Sequence, residues 1–174
     1  MIIIHGNDMG LKWPVYGSNQ WRESVVVVRN TGRSENKVSK YAELTTILRE
    51  QRFLIAALEE MGYRAELHQD GAHLIGYEGK ERPEVAHVII RRSQLRPASN
   101  DIGFARAPDG RLVALLSEYD QAVGYDRAWL GRVQQLYKEK QTVSAAKAKG
   151  YIFKGKEVIQ TAKGPQIRLQ FVTR

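Results

Sequence analysis

Apolar positions along this chain recur first at helical and then at strand spacing, and each change of period marks an element. From Gln51 to Met61 they fall at Leu54, Ala57, Leu58 and Met61, one side of a helix, with Gly62 placed as its stop. Arg64 to Gln69 and Ala72 to Tyr77 then read as strands flanking Asp70-Gly71, a dipeptide that favours a two-residue hairpin turn. Val85 to Arg91 is a β-branched run, followed by a polar loop from Arg92 to Asn100. Ile102 to Ala105 and Arg111 to Leu116 flank Pro108-Asp109-Gly110, a second hairpin signal. No long crossover separates these strands, so they pair antiparallel.

The helical period returns after Asp126, which is suited to be an N-cap, with Trp129, Leu130, Val133, Leu136 and Tyr137 as its stripe. A further helical piece, Ser144 to Lys149, ends at Gly150, with Lys147 and Lys149 near its negative dipole end. Strands Tyr151 to Ile159 and Gln166 to Val172 close the chain about a turn from Ala162 to Pro165. Ahead of the first helix, Ser39 to Leu48 alternates as a strand. Residues 1–38 differ from the rest: short β-type runs at Ile2 to Ile4 and Ser24 to Arg29 enclose a Gly-rich, aromatic stretch, and the polar NTGRSENK follows. The pattern predicts an N-terminal β-type arm over 1–38 and one α+β domain over 39–174, an antiparallel sheet with two main helices on one face.

Composition narrows the chemistry. A chain of 174 residues buries roughly 70% of its unfolded surface, so no staple is required to hold a core. With 43% hydrophobic and 26% charged residues the composition is globular. The absence of cysteine excludes disulfides, thiolate nucleophiles, iron–sulfur ligation and cysteine-based zinc sites. The longest apolar run, Val25 to Val28, is too short to span a bilayer, and Met1 to Ile4 lacks the form of a signal peptide. The expectation is a cytoplasmic protein with no membrane association and no cofactor.

Several short pieces then carry a resemblance by their order: SKYAELTTILRE leading into the helix that ends LEEMGY, then LIGYEG, NDIGF, DGRLVALL, and WLGRVQQLY followed by SAAKAKGY. In these pieces residues 39–174 resemble the family of hypothetical chloroplast reading frame thirty-five, of cyanobacteria and red-algal plastids, catalogued among the domains of unknown function. The resemblance implies a small soluble protein without an assigned activity, and it supplies no catalytic residue. Its members begin near the equivalent of Ser39, so the arm is additional here, and LLSEYD stands where they carry an acidic-aromatic run.

Charge gives the strongest functional signal. The formal +8 is the sum of five Lys/Arg against three acids over 1–39, eleven against fourteen over 40–126, and eleven against two over 127–174. Arg127, Arg132, Lys138, Lys140, Lys147 and Lys149 lie on or beside the last helix. In the closing strands Ile167, Leu169 and Phe171 alternate inward, Arg168 and Arg174 outward, and Lys154 and Lys156 line the neighbouring strand. Such a segment engages polyanions with salt-dependent affinity, or else serves only for solubility. The reading is a non-catalytic binding or adaptor module whose basic face takes an anionic partner, nucleic acid ahead of acidic protein. A second reading is an assembly component docking a protein partner through Trp13, Tyr16, Trp21 and Arg22 of the arm.

A third reading is a metal-dependent enzyme. If Asp70-Gly71 is a two-residue turn, His68 opposes His73, Glu66 lies two residues along the same face, and His87 comes from a later strand. The alternative is a pair of solvated histidines. No P-loop, nucleophile-elbow or zincin motif is present. His5-Gly6 reads as a turn, and Glu59-Glu60 and Glu118/Asp120 as solvated charges rather than acid/base pairs.

Overall fold

A computed structural model of the chain describes residues 2–4, 40–161 and 164–173. The chain divides into two compact units, one of Met1–Glu23 with Gln141–Arg174 and one of Ser24–Lys140. The expected α+β class is what forms. Apart from Ile2–Ile4, the predicted arm lies outside the described residues, and with it Trp13, Tyr16, Trp21 and Arg22.

The larger unit holds a five-stranded antiparallel sheet of β2 (Tyr41–Leu44), β3 (Glu66–Ile75), β4 (Glu81–Ile90), β5 (Ile102–Arg106) and β6 (Leu112–Ser117), in spatial order β2-β6-β5-β4-β3. Helix α1 (Gln51–Glu60) buries Phe53, Leu54, Ala57 and Leu58, three of the four predicted positions with Phe53 added; Met61, the fourth, is the half-buried residue that caps its end. These meet Val88, Ile90, Ile102, Phe104 and Leu112 of the sheet and Trp129, Val133 and Tyr137 of α3 (Arg127–Ala148) in one core. Each of the larger aliphatic and phenylalanine side chains contributes about 1.5–3 kcal/mol by leaving water. Tyr137 also closes the entry to α1, its hydroxyl accepting from the Arg49 and Glu50 N–H groups at 3.2 and 3.1 Å.

Asp126 caps α3 as expected, its Oδ1 accepting from the Ala128 and Trp129 N–H groups at 3.0 Å. The two helical pieces expected over 127–149 are one helix. Lys138, Glu139, Lys140 and Gln141 interrupt the apolar stripe but are strong helix formers, so the backbone continues until Gly150, at φ +84°. A five-residue helix α2 (Glu118–Ala122), capped by Ser117, was not foreseen.

The Asp70-Gly71 hairpin does not form. Both residues lie inside the single strand β3, and the turn is at Gly76 to Lys80, where the Gly76 N–H donates to Lys80 O and the Gly79 N–H to Gly76 O, both at 2.8 Å. Leu67 opposes Val88 and Ala72 opposes Ala86, five steps on β3 against two on β4, so β3 carries a bulge of three extra residues. Gly71 supplies that bulge with φ +81°; the left-handed conformation that suits a turn glycine serves the bulge equally.

Beyond the bulge the hairpin folds back over the sheet. Gly103 pairs with Ile89 and Leu115, yet a Cβ placed on it would lie 2.6 Å from the Ala86 Cβ and 3.0 Å from Leu74 Cδ2, both from the far half of the hairpin. Leu74, Ala86, Ile89 and Leu115 make a second buried cluster there, edged by Tyr41, Ala72 and Ala105. A glycine at 103 is what permits this approach. The other expected turn is present, with the Ala107 N–H donating to Arg111 O at 2.7 Å and the Gly110 N–H to Ala107 O at 2.9 Å.

The smaller unit is a three-stranded antiparallel sheet in the order β1-β8-β7, from β1 (Ile2–Ile4), β7 (Ile152–Thr161) and β8 (Gly164–Val172). Its core is Ala146, Leu169 and Phe171, with Val143, Tyr151, Phe153 and Ile167 around it. The inward alternation expected for Ile167, Leu169 and Phe171 holds.

Candidate functional site

Pieces far apart in the sequence converge on Asp101, which is fully buried. Its Oδ2 accepts from the Ile75 N–H at 2.9 Å and from Arg91 Nη1 at 2.8 Å, and its Oδ1 from the Arg92 N–H at 2.7 Å. Its own N–H donates to Ile75 O at 2.9 Å, and its carbonyl accepts from the Tyr41 hydroxyl at 2.7 Å. Asn100 continues the latch, taking the Tyr77 N–H at 3.1 Å and giving its amide to Ser117 Oγ at 2.9 Å and Asp120 Oδ2 at 3.2 Å. Ser117 Oγ in turn donates to Asp120. These bonds tie the tip of the β3–β4 hairpin to the start of β5 and to α2. Asp120 Oδ1 and Ser99 Oγ are buried with no hydrogen-bond partner among the described residues. Beside them Ala98 holds φ +65°, a strained value for a residue with a side chain. Burial, reinforced by the Asp101, Asp120 and Glu84 carboxylates, raises the Tyr41 hydroxyl well above its ordinary value despite Arg82, so it stays a donor.

Next to the latch is an open cleft of about 470 Å³ lined by His73, Glu81, Arg91, Arg92, Ser93 and Asp101. The Arg91 guanidinium is spoken for, with Nε on Glu66 at 2.7 Å and Nη1 on Asp101. Burial opposes its charge, but the hydrogen bonds to those two carboxylates outweigh it and raise its pKa. Hydrogen bonds from His68 and Arg91 likewise overcome burial at Glu66 and hold its carboxyl below the usual range. Arg92 gives Nη1 to the Tyr77 carbonyl. His73 Nδ1 lies 2.7 Å from Arg82 O, and a carbonyl accepts, so the proton sits on Nδ1. Its Nε2 then stands 3.7 Å from Glu81 Oε1.

The histidine constellation is corrected by this geometry. His68 and His73 occupy one strand instead of facing each other across a turn. His68 Nε2 meets Glu66 at 3.0 Å. His87 Nδ1 accepts from the Arg106 N–H at 3.2 Å, and burial, then Arg106, lowers its pKa. Among the described residues no group of three or more His, Asp or Glu is placed to hold a metal ion. Asp120 is buried and hydrogen-bonded, which overturns the expectation of a solvated charge there, whereas Glu59, Glu60 and Glu118 are exposed as expected, with Glu60 paired to Lys140.

The expected basic face is dispersed along α3. Lys138 and Lys140, two residues apart, point about 200° apart on a helix. Lys138 lies 6.0 Å from the Tyr137 ring centroid, with burial lowering its pKa, while Lys140 pairs with Glu60. Arg127 and Arg132 are exposed. In the smaller unit Lys147, Lys149, Lys154 and Lys156 are all exposed. Arg168 pairs with Glu157 at 3.0 Å. Phe153 opposes Phe171 but Lys156 opposes Leu169, because Lys154 is an extra residue in a bulge. Lys156 therefore lies on the Leu169 side of the ribbon and Arg168 on the other. Arg174 lies outside the described residues.

Sequence reasoning missed Tyr41, Arg91, Arg92, Asn100 and Asp101. All sit at or just beyond strand ends, and three of them lie in the pieces SKYAEL and NDIGF. Among the described residues no helix is long and apolar enough to cross a membrane. A family model described as "Protein of unknown function (DUF1257)" matches residues 57–168, well over half of the chain. No curated protein and no solved structure matches it.

Proposed function

The chain belongs to the DUF1257 family of proteins of unknown function, which hands down no activity, and from its own residues we propose a non-catalytic binding module whose C-terminal basic segment engages an anionic partner, nucleic acid ahead of acidic protein. The finer likeness, to the proteins of hypothetical chloroplast reading frame thirty-five, rests on the ordered pieces from SKYAEL to SAAKAKGY. One observation carries the functional reading: residues 141–174 hold seven Lys/Arg against one acid, and that acid, Glu157, is engaged by Arg168. The segment therefore carries a net charge of +6, seven cations less one acid. Lys147, Lys149, Lys154 and Lys156 are exposed, and between Leu169 and its turn, past the residues that β1 pairs, the β7–β8 hairpin has the two-stranded form that a major groove admits. Phosphate contacts by those four side chains give a log–log salt slope of about −3.6, roughly a hundredfold loss of affinity between about 50 and 200 mM salt.

A second explanation of two of these lysines has its own support. Among the described residues β7 is an edge of its sheet, and lysines with a bulge at Lys154 are a common guard against strand pairing. Fluorescence anisotropy with duplex and single-stranded oligonucleotides separates the two. Lys154→Glu with Lys156→Glu keeps the edge charged and lowers affinity at least tenfold, whereas Arg49→Glu with Arg52→Glu has little effect. Equal effects from both pairs, or a flat salt response, would count against the reading. The assembly alternative through Trp13, Tyr16, Trp21 and Arg22 is separated by replacing those four residues with alanine, which keeps Ile2–Ile4 paired with β8 and abolishes partner capture only if the arm does the docking.

A further inference from the structure

We infer that the cleft beside the hairpin latch binds a small zwitterion, its ammonium on Glu81 beside His73 and its carboxylate on Arg92. The inference is independent of the basic segment and rests on two imbalances. First, the Nδ1–H of His73 is committed to Arg82 O at 2.7 Å, and Nε2 stands 3.7 Å from Glu81 Oε1, beyond hydrogen-bond reach. The Glu81 carboxylate thus keeps its acceptor positions towards the cleft, and an ammonium meets them with both donors and charge. Second, Arg91 is balanced by Glu66 and Asp101, but the one side-chain contact of Arg92 among the described residues is a neutral carbonyl. Its remaining donors suit a carboxylate fork.

Asp101 makes the cleft a prepared one. Fully buried, it fixes the Arg91 guanidinium, the Arg92 backbone N–H and Ile75 together, while the Arg92 side chain is held by the Tyr77 carbonyl, which lowers the cost of ordering both on binding. Ile75, also at the lining, offers apolar surface to the ligand's carbon skeleton, and the volume of about 470 Å³ is within the usual range for small-molecule sites. The cleft's own charges discriminate against partners of a single sign. A lone carboxylate meets Glu81 at the mouth, and a lone amine meets Arg92.

The test is isothermal titration of the full chain with leucine and ε-aminocaproate, isomers that differ in charge separation, against caproate and hexylamine, which each carry one of the charges. At least one zwitterion is expected to bind in the millimolar range or tighter, with both single-charge analogues at least tenfold weaker. Glu81→Gln, at an exposed position where folding is not at stake, should weaken the zwitterion and leave caproate no weaker. Arg92→Lys, which keeps the charge but loses the fork, should weaken the zwitterion and spare hexylamine. Absence of binding by both zwitterions, or caproate binding equally well, would overturn the inference. A zwitterion whose affinity is unchanged in Glu81→Gln would do the same.

Discussion

Gly103→Ala is the sharpest perturbation of the folded-back hairpin, because its consequences follow from two distances. The new methyl would sit 2.6 Å from the Ala86 Cβ and 3.0 to 3.1 Å from the two Leu74 methyls. The leucine ends can rotate away, but the Ala86 Cβ is fixed to strand backbone, so β4 itself must shift. Overpacking of that kind costs about 1–3 kcal/mol, and the rigid neighbour argues for the upper half, about 2–3 kcal/mol. Ala86→Gly alone should cost about 1–2 kcal/mol, from a lost buried methyl and the added backbone freedom of glycine in a strand. In the double variant the two methyls no longer collide, so its loss should fall below the sum of the singles by at least about 1 kcal/mol. Urea unfolding followed by circular dichroism reads all four corners of the cycle. If Gly103→Ala lies within about 0.5 kcal/mol of the unmodified chain, or if the singles simply add, the far half of the hairpin does not pack on Gly103 and the fold-back is wrong.

Asp126→Ala removes the acceptor of two N–H groups at the start of α3 and should cost about 1 kcal/mol, a fall in Tm of about 2–4 °C by calorimetry. Acid should destabilise the fold in two windows. His87 has a folded pKa below its ordinary 6.5, so the unfolded chain takes the proton first; this stability is complete above 6.5 and is lost as pH falls towards the folded value. Glu66 has a folded pKa below 4.5, and its contribution is lost as pH falls through that lower value. NMR titration of the His87 ring should give a midpoint below 6.5, and Glu66→Gln should flatten the lower limb of urea midpoints against pH; a His87 midpoint above 6.5 contradicts its burial. Replacing Lys154 and Lys156 by threonine should promote self-association in light scattering if the lysines guard the β7 edge, and leave the chain monodisperse if they do not.

The two helices were legible because their stripes have one period and their ends carry signals the backbone obeys: Asp126 caps α3 and Gly62, at φ +91°, follows α1. The hairpin was misread because a left-handed glycine serves a turn and a bulge equally. Choosing between Gly71 and Gly79 depends on which register lets Leu74 and Ala86 reach Gly103, and that contact spans about thirty residues. No local pattern holds it. The second helix reads as two pieces for a related reason: Lys138 to Gln141 interrupt the apolar stripe but neither the helix nor its buried side, since Glu139 and Thr142 are buried there and local propensity carries the backbone on.

The same distinction decides what the sequence could say about function. A surplus of cations in a segment is a count, and it survives folding; a face is a geometry, and along α3 the cations were scattered by the helical turn while in the ribbon one extra residue at Lys154 sent Lys156 and Arg168 to opposite sides. The cleft shows the converse. Asp101, Arg91 and Arg92 are unremarkable as residue types in a chain that is 26% charged, and what distinguishes them is which partners are already taken. Arg91 has two carboxylates, Arg92 a carbonyl, and His73 a committed Nδ1 proton. Those differences exist only once the hairpin has folded back and Ile75 has been delivered to Asp101. The fold-back and the cleft therefore stand together: a substitution that frees the hairpin tip should remove zwitterion binding even though it touches none of the groups that would hold the ligand.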